Sequence, residues 1–176
     1  MMQGCASSMM GNEPVTLSEG LAQLKCEHIP LLEKLHGLFN ICSKIDKNED
    51  INANFSQLEP AVRTFMEELD PHSEREERVL FRMMEKYLGV GVGPIAVMEY
   101  EHTQAKLLIG RFFEKMSEAR NDLSVDEMKE ASELIKNAYF TLTDHFSKEE
   151  NVLFPMAENM LSDEEKAELA EKIKAI

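Results

Sequence analysis

The sequence predicts an all-α fold, an up-down-up-down four-helix bundle with a short C-terminal helix. Four long stretches carry apolar residues at alternating spacings of three and four, the pattern of a helix buried along one side. The segments between them are short, and are polar or rich in glycine and proline. No stretch shows the strict alternation of a strand. We expect one domain over residues 16–176 and a mobile tail over residues 1–15.

The composition narrows the classes of partner. The 176 residues include 43% hydrophobic and 30% charged residues and have a formal net charge of -14. We expect neither nucleic acid nor an anionic membrane surface as partner, because both require a basic patch. No apolar run is long enough to cross a bilayer, and the three cysteines lack CxxC spacing. These features favour a reducing cytoplasm.

The first helix is predicted to begin near Thr16, where Thr16-x-x-Glu19 has the form of a capping box. Pro30 removes a backbone donor and predicts a bend, and the polar residues 46–54 predict a loop. We call the predicted buried side of each helix its seam. His28 is polar but falls in the seam of this helix. The apolar members of the seam are Leu17, Leu21, Leu24, Leu31, Leu35, Leu38, Cys42 and Ile45.

The second helix places His72 and Glu76 in its seam. Pro60 marks either its first turn or a kink, and Pro71 predicts a local distortion beside His72. The glycines and proline of residues 89–94 are predicted to end the helix. Its apolar seam consists of Phe55, Leu58, Val62, Phe65, Leu69, Val79 and Met83.

The third helix has one polar residue in its seam, His102, and a turn is predicted after it at residues 120–124. The other seam positions are Ile95, Met98, Ala105, Ile109, Phe112, Met116 and Ala119.

Two further capping boxes, Ser124-x-x-Glu127 and Ser162-x-x-Glu165, are predicted to open the fourth helix and the short C-terminal helix. Pro155 is predicted to weaken the fourth helix near its end. The fourth seam consists of Met128, Ala131, Ile135, Ala138, Leu142, His145, Glu149, Val152 and Met156.

One pattern occurs twice in the chain. Each copy has a Glu-His pair and, further along, a histidine followed four residues later by a Glu-Glu pair and then by Val-Leu-Phe. Because residues i and i+4 share one face of a helix, each later histidine and its glutamate point the same way. The polar seam residues that this pattern supplies are His28, His72, Glu76, His102, His145 and Glu149.

These six residues occupy positions that are otherwise apolar, and counted from the loops they lie at a common depth. Buried imidazoles and carboxylates are costly unless they are paired or bind metal. Nitrogen and carboxylate ligands without thiolate suit iron, manganese or zinc, and six ligands suit two ions, with iron first. Polar residues off the seam are interpreted as solvated or surface groups: His36, Glu74, Glu77 and Glu150.

At these residues the chain resembles the hemerythrin-like, or HHE cation-binding, family. The resemblance rests on the two Glu-His pairs, the two His-x-x-x-Glu motifs, and the Leu-Phe that follows each motif. It implies a non-haem centre of two Fe ions inside the bundle, joined by an oxide or hydroxide bridge when oxidised. The resemblance further implies terminal histidines and bridging glutamates: His28, His72, His102 and His145 as terminal ligands, and Glu76 and Glu149 as bridges.

The chain differs from the oxygen-carrying members of this family at two positions. Those proteins place a second histidine four residues after the histidine of helix three, where this chain has Lys106. They also set the last carboxylate five residues after the final histidine, which would select Glu150 rather than Glu149. The four-His, two-Glu set is closer to bacterial members linked to nitric oxide, peroxide or the repair of iron centres.

Several functions stay open at this point. We favour a protein that binds or senses dioxygen or nitric oxide, because the short ligand set leaves coordination positions vacant. A redox enzyme that decomposes peroxide or nitric oxide is an alternative, as is an iron store or donor in the repair of iron centres. The remaining alternative is a helical interaction protein with a vestigial site. No motif identifies a protein redox partner.

Overall fold

The computed structural model describes residues 15–118 and 123–176, and every regular element within these ranges is helical, which confirms the all-α prediction. No described helix is both long and apolar enough to cross a membrane. In chain order the elements of the described residues are α1 (Glu19–Asp46), α2 (Ile51–Arg75), a first π turn (Glu76–Leu80), α3 (Phe81–Leu88), α4 (Gly93–Glu118), α5 (Val125–Lys148), a second π turn (Glu149–Leu153), α6 (Phe154–Met160) and α7 (Asp163–Lys174).

Contacts between the helices show that neighbours run antiparallel. Along α1 and α2, the ring of His28 lies against that of His72, and Lys34 pairs with Glu68, so residue numbers rise on one helix as they fall on the other. The same reversal relates α4 to α5 through the pairs Lys115–Glu130 and Glu101–Lys148. It also relates α1 to α5 and the second π turn through the pairs Asp46–Lys136 and His28–Glu150. The long helices therefore form the up-down-up-down bundle.

Two apolar clusters fill the bundle, one on each side of the polar seam residues. In α1, Leu24 belongs to the smaller cluster, His28 follows one turn later, and Leu31 belongs to the larger cluster. Helix α7 closes the smaller cluster with Leu169 and Ile173. Each fully buried side chain of this size contributes about 1.5 to 3 kcal/mol. The two clusters thus hold the bundle together above and below the polar residues and keep water from them.

The predicted start of the first helix is wrong. Helix α1 begins at Glu19, and the capping box predicted from Thr16 does not form. Ser18 precedes the first turn, and its backbone N–H donates to Glu158 Oε2 at 2.6 Å instead of its side chain capping the helix. A side chain of α6 therefore satisfies a backbone donor at the start of α1.

The capping boxes predicted at Ser124 and Ser162 are confirmed, since each hydroxyl accepts from the N–H of the glutamate three residues on. The loop predicted at residues 46–54 is shorter, because α2 already begins at Ile51. The tail predicted for residues 1–15 lies, apart from its last residue, outside the described part of the chain. Most of the turn predicted at residues 120–124 lies outside it as well.

Two π turns begin at the glutamates of the repeat. The N–H of Phe81 donates to the carbonyl of Glu76, and that of Phe154 to the carbonyl of Glu149, one residue further back than in an α-helix. Helix α2 runs without a break through Pro71, so the distortion predicted there begins instead at Glu76. Each inserted residue turns the helix that follows by about 100°.

This rotation makes the predicted fourth seam wrong at its end. Val152 is 50% exposed and Met156 is only half-buried, whereas the next residues along, Leu153 and Ala157, are buried. Pro155, which was predicted to weaken the helix, lies in the first turn of α6, where its missing N–H costs little. The apolar face thus continues across the π turn, displaced by one residue.

Candidate metal centre

The six polar seam residues meet in one cluster between the two apolar clusters. None of them is more than 3% exposed. Within the described chain they form two groups, in each of which one ligand atom per residue lies within 4.8 Å of the others. The first His/Glu group is His28, His72, Glu76 and Glu149, and the second His/Glu group is Glu76, His102, His145 and Glu149.

Glu76 and Glu149 belong to both groups because each directs one carboxylate oxygen to each side. Glu76 Oε1 lies 3.3 Å from His72 Nε2, and its Oε2 lies 3.5 Å from His102 Nε2. Glu149 repeats the arrangement, with Oε2 3.3 Å from Nε2 of the α1 histidine and Oε1 3.2 Å from Nε2 of the α5 histidine. Two carboxylates that each span two sets of imidazoles could bridge a pair of cations.

Many of the inner atoms of this cluster lack hydrogen bonds. Both carboxylate oxygens of Glu76 and of Glu149, and the Nε2 atoms of His28 and His72, are buried without a partner. A buried polar atom without a partner costs about 1 to 3 kcal/mol. Imidazole nitrogen and carboxylate oxygen are the donors that iron, manganese and zinc accept. The donors present therefore fit cations of this class, which would satisfy these atoms.

A glutamate lies on the outer side of each of the four histidines. Each is within 3.2 Å of the histidine Nδ1 atom, in the pairs Glu27–His72, Glu77–His102, Glu101–His145 and Glu150–His28. Because an ionised carboxylate only accepts hydrogen bonds, each Nδ1 carries the proton and donates it. The Nε2 side of each ring is thus the side that could bind a cation. Without one, Nε2 of His102 and Nε2 of His145 lie 2.8 Å apart, within hydrogen-bond distance of each other.

Sequence reasoning missed these outer glutamates. Glu77 and Glu150 were expected on a solvated face, and that interpretation is wrong, because each is only partly exposed and holds a histidine. For Glu27 and Glu101 the sequence predicted no role beyond membership of the Glu-His pairs of the repeat. The signal was present in the sequence, since each of these acids adjoins a seam histidine or seam glutamate in both copies.

Each outer glutamate is itself paired with a basic side chain. Lys106 Nζ lies 2.8 Å from Glu77 Oε1, so the lysine at the position of the additional histidine holds an outer glutamate instead. The other three pairs are Arg75–Glu27, Lys148–Glu101 and Lys25–Glu150. Every histidine of the cluster is therefore backed by a carboxylate and then by a cation, which restrains the orientation of its ring.

The carboxylates shift the pKa values of the cluster. Burial opposes the charged form of His28, but the carboxylates of Glu149 and Glu150 on the two sides of its ring raise the pKa of its imidazole to about 9. The same balance raises the pKa of His102 to about 9. The hydrogen bond from His102 lowers the pKa of Glu77 to about 2. Burial opposes ionisation of Glu149, but the charges of neighbouring histidines hold the pKa of its carboxyl well below its usual range. A cation that binds here must displace protons.

The aromatic rings around the histidines differ between the two groups. The ring of His28 lies between two stacked phenyl rings, with centroid distances of 4.4 Å to Phe146 and 5.6 Å to Phe154. His72 meets Phe146 edge-on at 5.9 Å. In the second His/Glu group, His102 has Phe81 beside it, also at 5.6 Å. Phe146 thus contacts both histidines of the first group, and its ring also lies 5.7 Å from that of His145 in the second group.

The fifth histidine of the chain, His36, lies outside the cluster. It is exposed on α1, where its Nδ1 donates to the carbonyl of Leu32 and its ring lies edge-on to Tyr139. This agrees with its interpretation as a surface residue.

Comparison with known proteins supports the same class of site. The model of the hemerythrin HHE cation binding domain matches residues 19–157. The iron-sulfur cluster repair proteins YtfE of Escherichia coli (strain K12 / DH10B) and of Shigella boydii serotype 18 are each 36% identical to this chain over 97 residues. The matched region covers 52% of this chain and 42% of each relative. The chain therefore spans less than half the length of these relatives. No solved structure matches it. Because the family model covers most of the chain and its buried His/Glu groups, the protein belongs to the hemerythrin HHE cation-binding domain family.

Proposed function

We propose that this chain holds a non-haem centre of two Fe ions and binds a small diatomic ligand there, either dioxygen or nitric oxide. The observation that carries the proposal is the position of Glu76 and Glu149, each of which reaches both His/Glu groups. A family of cation-binding domains implies iron, and a shared pair of carboxylates suits two ions rather than one.

In this proposal Nε2 of the four histidines and the carboxylates of Glu76 and Glu149 would hold the two ions. Each His/Glu group would offer two nitrogens and two carboxylates, fewer than the six donors that an octahedral ion accepts. When bound, the iron pair supplies vacant coordination positions and reversible change of oxidation state. The outer glutamates keep each Nδ1 protonated and each ring in place, and the two apolar clusters keep bulk water out.

Metal analysis of protein purified without added metal tests this proposal. We expect about two irons per chain, a visible band that appears on oxidation, and a reversible spectral change when the reduced protein meets dioxygen or nitric oxide. His72→Ala should lose iron, whereas His36→Ala should keep it, because that histidine lies outside the cluster. One zinc per chain, or a folded protein that takes up no iron when ferrous iron is added, would contradict the proposal.

Turnover distinguishes binding from catalysis at the same centre. Repeated consumption of peroxide or nitric oxide per iron, lost in His72→Ala, would favour a redox enzyme. A stoichiometric and reversible response without consumption would favour a binding or sensing protein.

Donation of iron in the repair of iron centres is a second candidate function. The observation that favours it is the 36% identity to proteins named for iron-sulfur cluster repair. A donor must release its metal readily, so a chelator such as a ferrous-specific bipyridine should remove the iron within minutes while the helical circular dichroism is retained. Iron that leaves only when the protein unfolds would argue against donation.

A further inference from the structure

Helix α7 lies beyond residues 19–157, which the family model matches, but its last turn contacts a side chain close to the metal centre. Nε of Arg75 donates to the backbone carbonyl of Ile173 at 3.1 Å. Carbonyls in the last turn of a helix have no partner within the helix and carry a partial negative charge, so a guanidinium is a favourable partner there. Ile173 is itself fully buried in the smaller apolar cluster. The position of α7 therefore restrains the position of Arg75.

The same guanidinium holds the glutamate behind His72. Nη1 of Arg75 lies 3.3 Å from Glu27 Oε2, and that oxygen also accepts the hydrogen bond from His72 Nδ1 at 2.9 Å. Gln23 Nε2 donates to the other carboxylate oxygen at 3.0 Å. The side chain of Glu27 is 23% exposed and borders a cleft of about 240 Å³ between α1 and α2. Its carboxylate can therefore turn away from the imidazole when Arg75 no longer holds it.

The second copy of the repeat has a different arrangement at the corresponding positions. Lys148, which stands three residues after its histidine as Arg75 does, pairs with Glu101 behind His145. Lys148 also pairs with Asp144, which lies on its own helix. An ammonium is a point charge, whereas the planar guanidinium of arginine holds two acceptors in fixed directions. The first copy thus links its later histidine to α7, while these contacts of Lys148 lie within the four long helices.

We propose that α7 positions His72 through Arg75 and Glu27, so that displacement of α7 loosens this ring and speeds the release of iron from the first His/Glu group. Arg75 is a positioning residue in this role, because it acts on the imidazole through Glu27. Contacts of this kind orient a metal-binding histidine, and their loss weakens metal affinity. The link to iron rests on the proposed function, whereas the link from α7 to the ring does not.

Hydrogen exchange of the histidine Nδ1 protons, measured by nuclear magnetic resonance on metal-free protein, tests the positioning of the ring. Arg75→Ala should speed exchange at His72 about tenfold and leave exchange at His145 within about threefold of the wild type. Lys148→Ala is the matched control and should act on His145 rather than on His72. Equal effects of Arg75→Ala on the two rings, or no effect at His72, would overturn the inference.

Steric displacement of α7 tests whether this helix acts through Arg75. A Cβ atom on Gly20 would lie 3.0 Å from the backbone nitrogen of Ala170, so Gly20→Leu forces α7 away from α1. Gly37 has nothing within 4 Å, and Gly37→Leu is its control. Gly20→Leu should speed exchange at His72 about tenfold with Arg75 present, and less than about twofold in the Arg75→Ala background. Equal acceleration in both backgrounds would show that α7 acts through overall stability and would overturn the inference.

Release of iron from the loaded protein into excess chelator supplies the second readout, with circular dichroism as the check on folding. Arg75→Ala and Gly20→Leu should each speed the release of one of the two irons about tenfold, and Gly37→Leu should leave it within about twofold of the wild type. Unchanged release in the first two variants would overturn the link to iron. Wild-type protein that takes up no iron would instead overturn the proposed function, and exchange at His72 would still decide whether α7 positions that ring.

Discussion

Two adjacent glutamates on the second π turn hold opposite sides of one imidazole. Glu149 Oε2 lies 3.3 Å from Nε2 of His28, and Glu150 Oε1 lies 2.9 Å from Nδ1 of the same ring. Glu149 is fully buried, whereas the side chain of Glu150 is 28% exposed and also pairs with Lys25. The inner position therefore belongs to Glu149, and Glu150 orients the ring from outside.

Neutralising these two residues in turn should give different results. Glu149→Gln removes a carboxylate that reaches both His/Glu groups, so we expect at least one iron per chain to be lost. Glu150→Gln keeps the inner donors and should weaken metal affinity about 10- to 100-fold without changing the stoichiometry at saturating iron. Metal titration of both proteins measures this. Loss of iron from Glu150→Gln alone would reverse the two assignments.

At this scale the sequence predicted the inner residues better than the outer ones. The inner six interrupt an apolar seam, and polar residues in such a seam are conspicuous. Glu77 and Glu150 occur in charged runs that resemble any solvated face of a helix. Their contacts with histidines of other helices depend on how the helices pack, which periodicity along one helix does not contain.

Among the elements, α7 depends on close contact with the start of α1. A Cβ atom on Gly20 would lie 3.0 Å from the backbone nitrogen of Ala170 and from Leu169 Cγ. The backbone at Ala170 cannot yield as a flexible side chain would. The absence of a side chain at Gly20 therefore lets α7 cover the smaller apolar cluster.

Alanine at two glycines of α1 should act in opposite directions. Gly20→Ala gains helix propensity of about 1 kcal/mol but forces α7 outward at a cost of about 1 to 3 kcal/mol, so we expect a lower free energy of unfolding. Gly37→Ala meets nothing within 4 Å and should gain up to about 1 kcal/mol. Urea denaturation at equal iron content measures both. Equal stabilisation by the two variants would contradict the close contact.

The helices themselves were predictable, and the π turns were not. Long seams, glycines and two capping boxes fixed the order of the helices and several of their ends. A π turn inserts a single residue without a characteristic sequence, and beyond the second π turn a seam counted with the α-helical period runs one residue out of register. This is why Val152 was expected inside and Leu153 lies there instead. Beyond the first π turn, Val79 and Met83 are buried as predicted, and so are Leu80 and Met84.

At the scale of the whole molecule, the arrangement of the two apolar clusters makes folding of the bundle independent of metal binding. The buried polar cluster lies between two apolar clusters, each of which joins residues of several helices. The bundle can therefore form without metal, while the metal adds stability in proportion to its affinity and concentration.

Removal of metal should lower thermal stability without unfolding the chain at room temperature. At free iron about 1,000-fold above the dissociation constant, binding contributes about 4 kcal/mol, which for a chain of this length corresponds to about 8 to 16 °C in Tm. Circular dichroism melts of loaded and chelator-treated protein measure the difference. Identical melting curves would show that the cluster does not hold metal in the folded state.

Two of the outer glutamates, Glu77 and Glu150, contact a histidine of the other copy of the repeat, and this has a consequence for assembly. Since Glu77 reaches into the second copy and Glu150 into the first, neither helical pair contains a complete centre. The contacts are those of an isologous dimer with two-fold symmetry, in which one hairpin meets an identical hairpin. A synthetic hairpin that carries one copy should therefore dimerise around metal. Joining the two hairpins in one chain is what allows counterpart positions to differ, such as Ser73 after the later histidine of the first copy and Phe146 after that of the second.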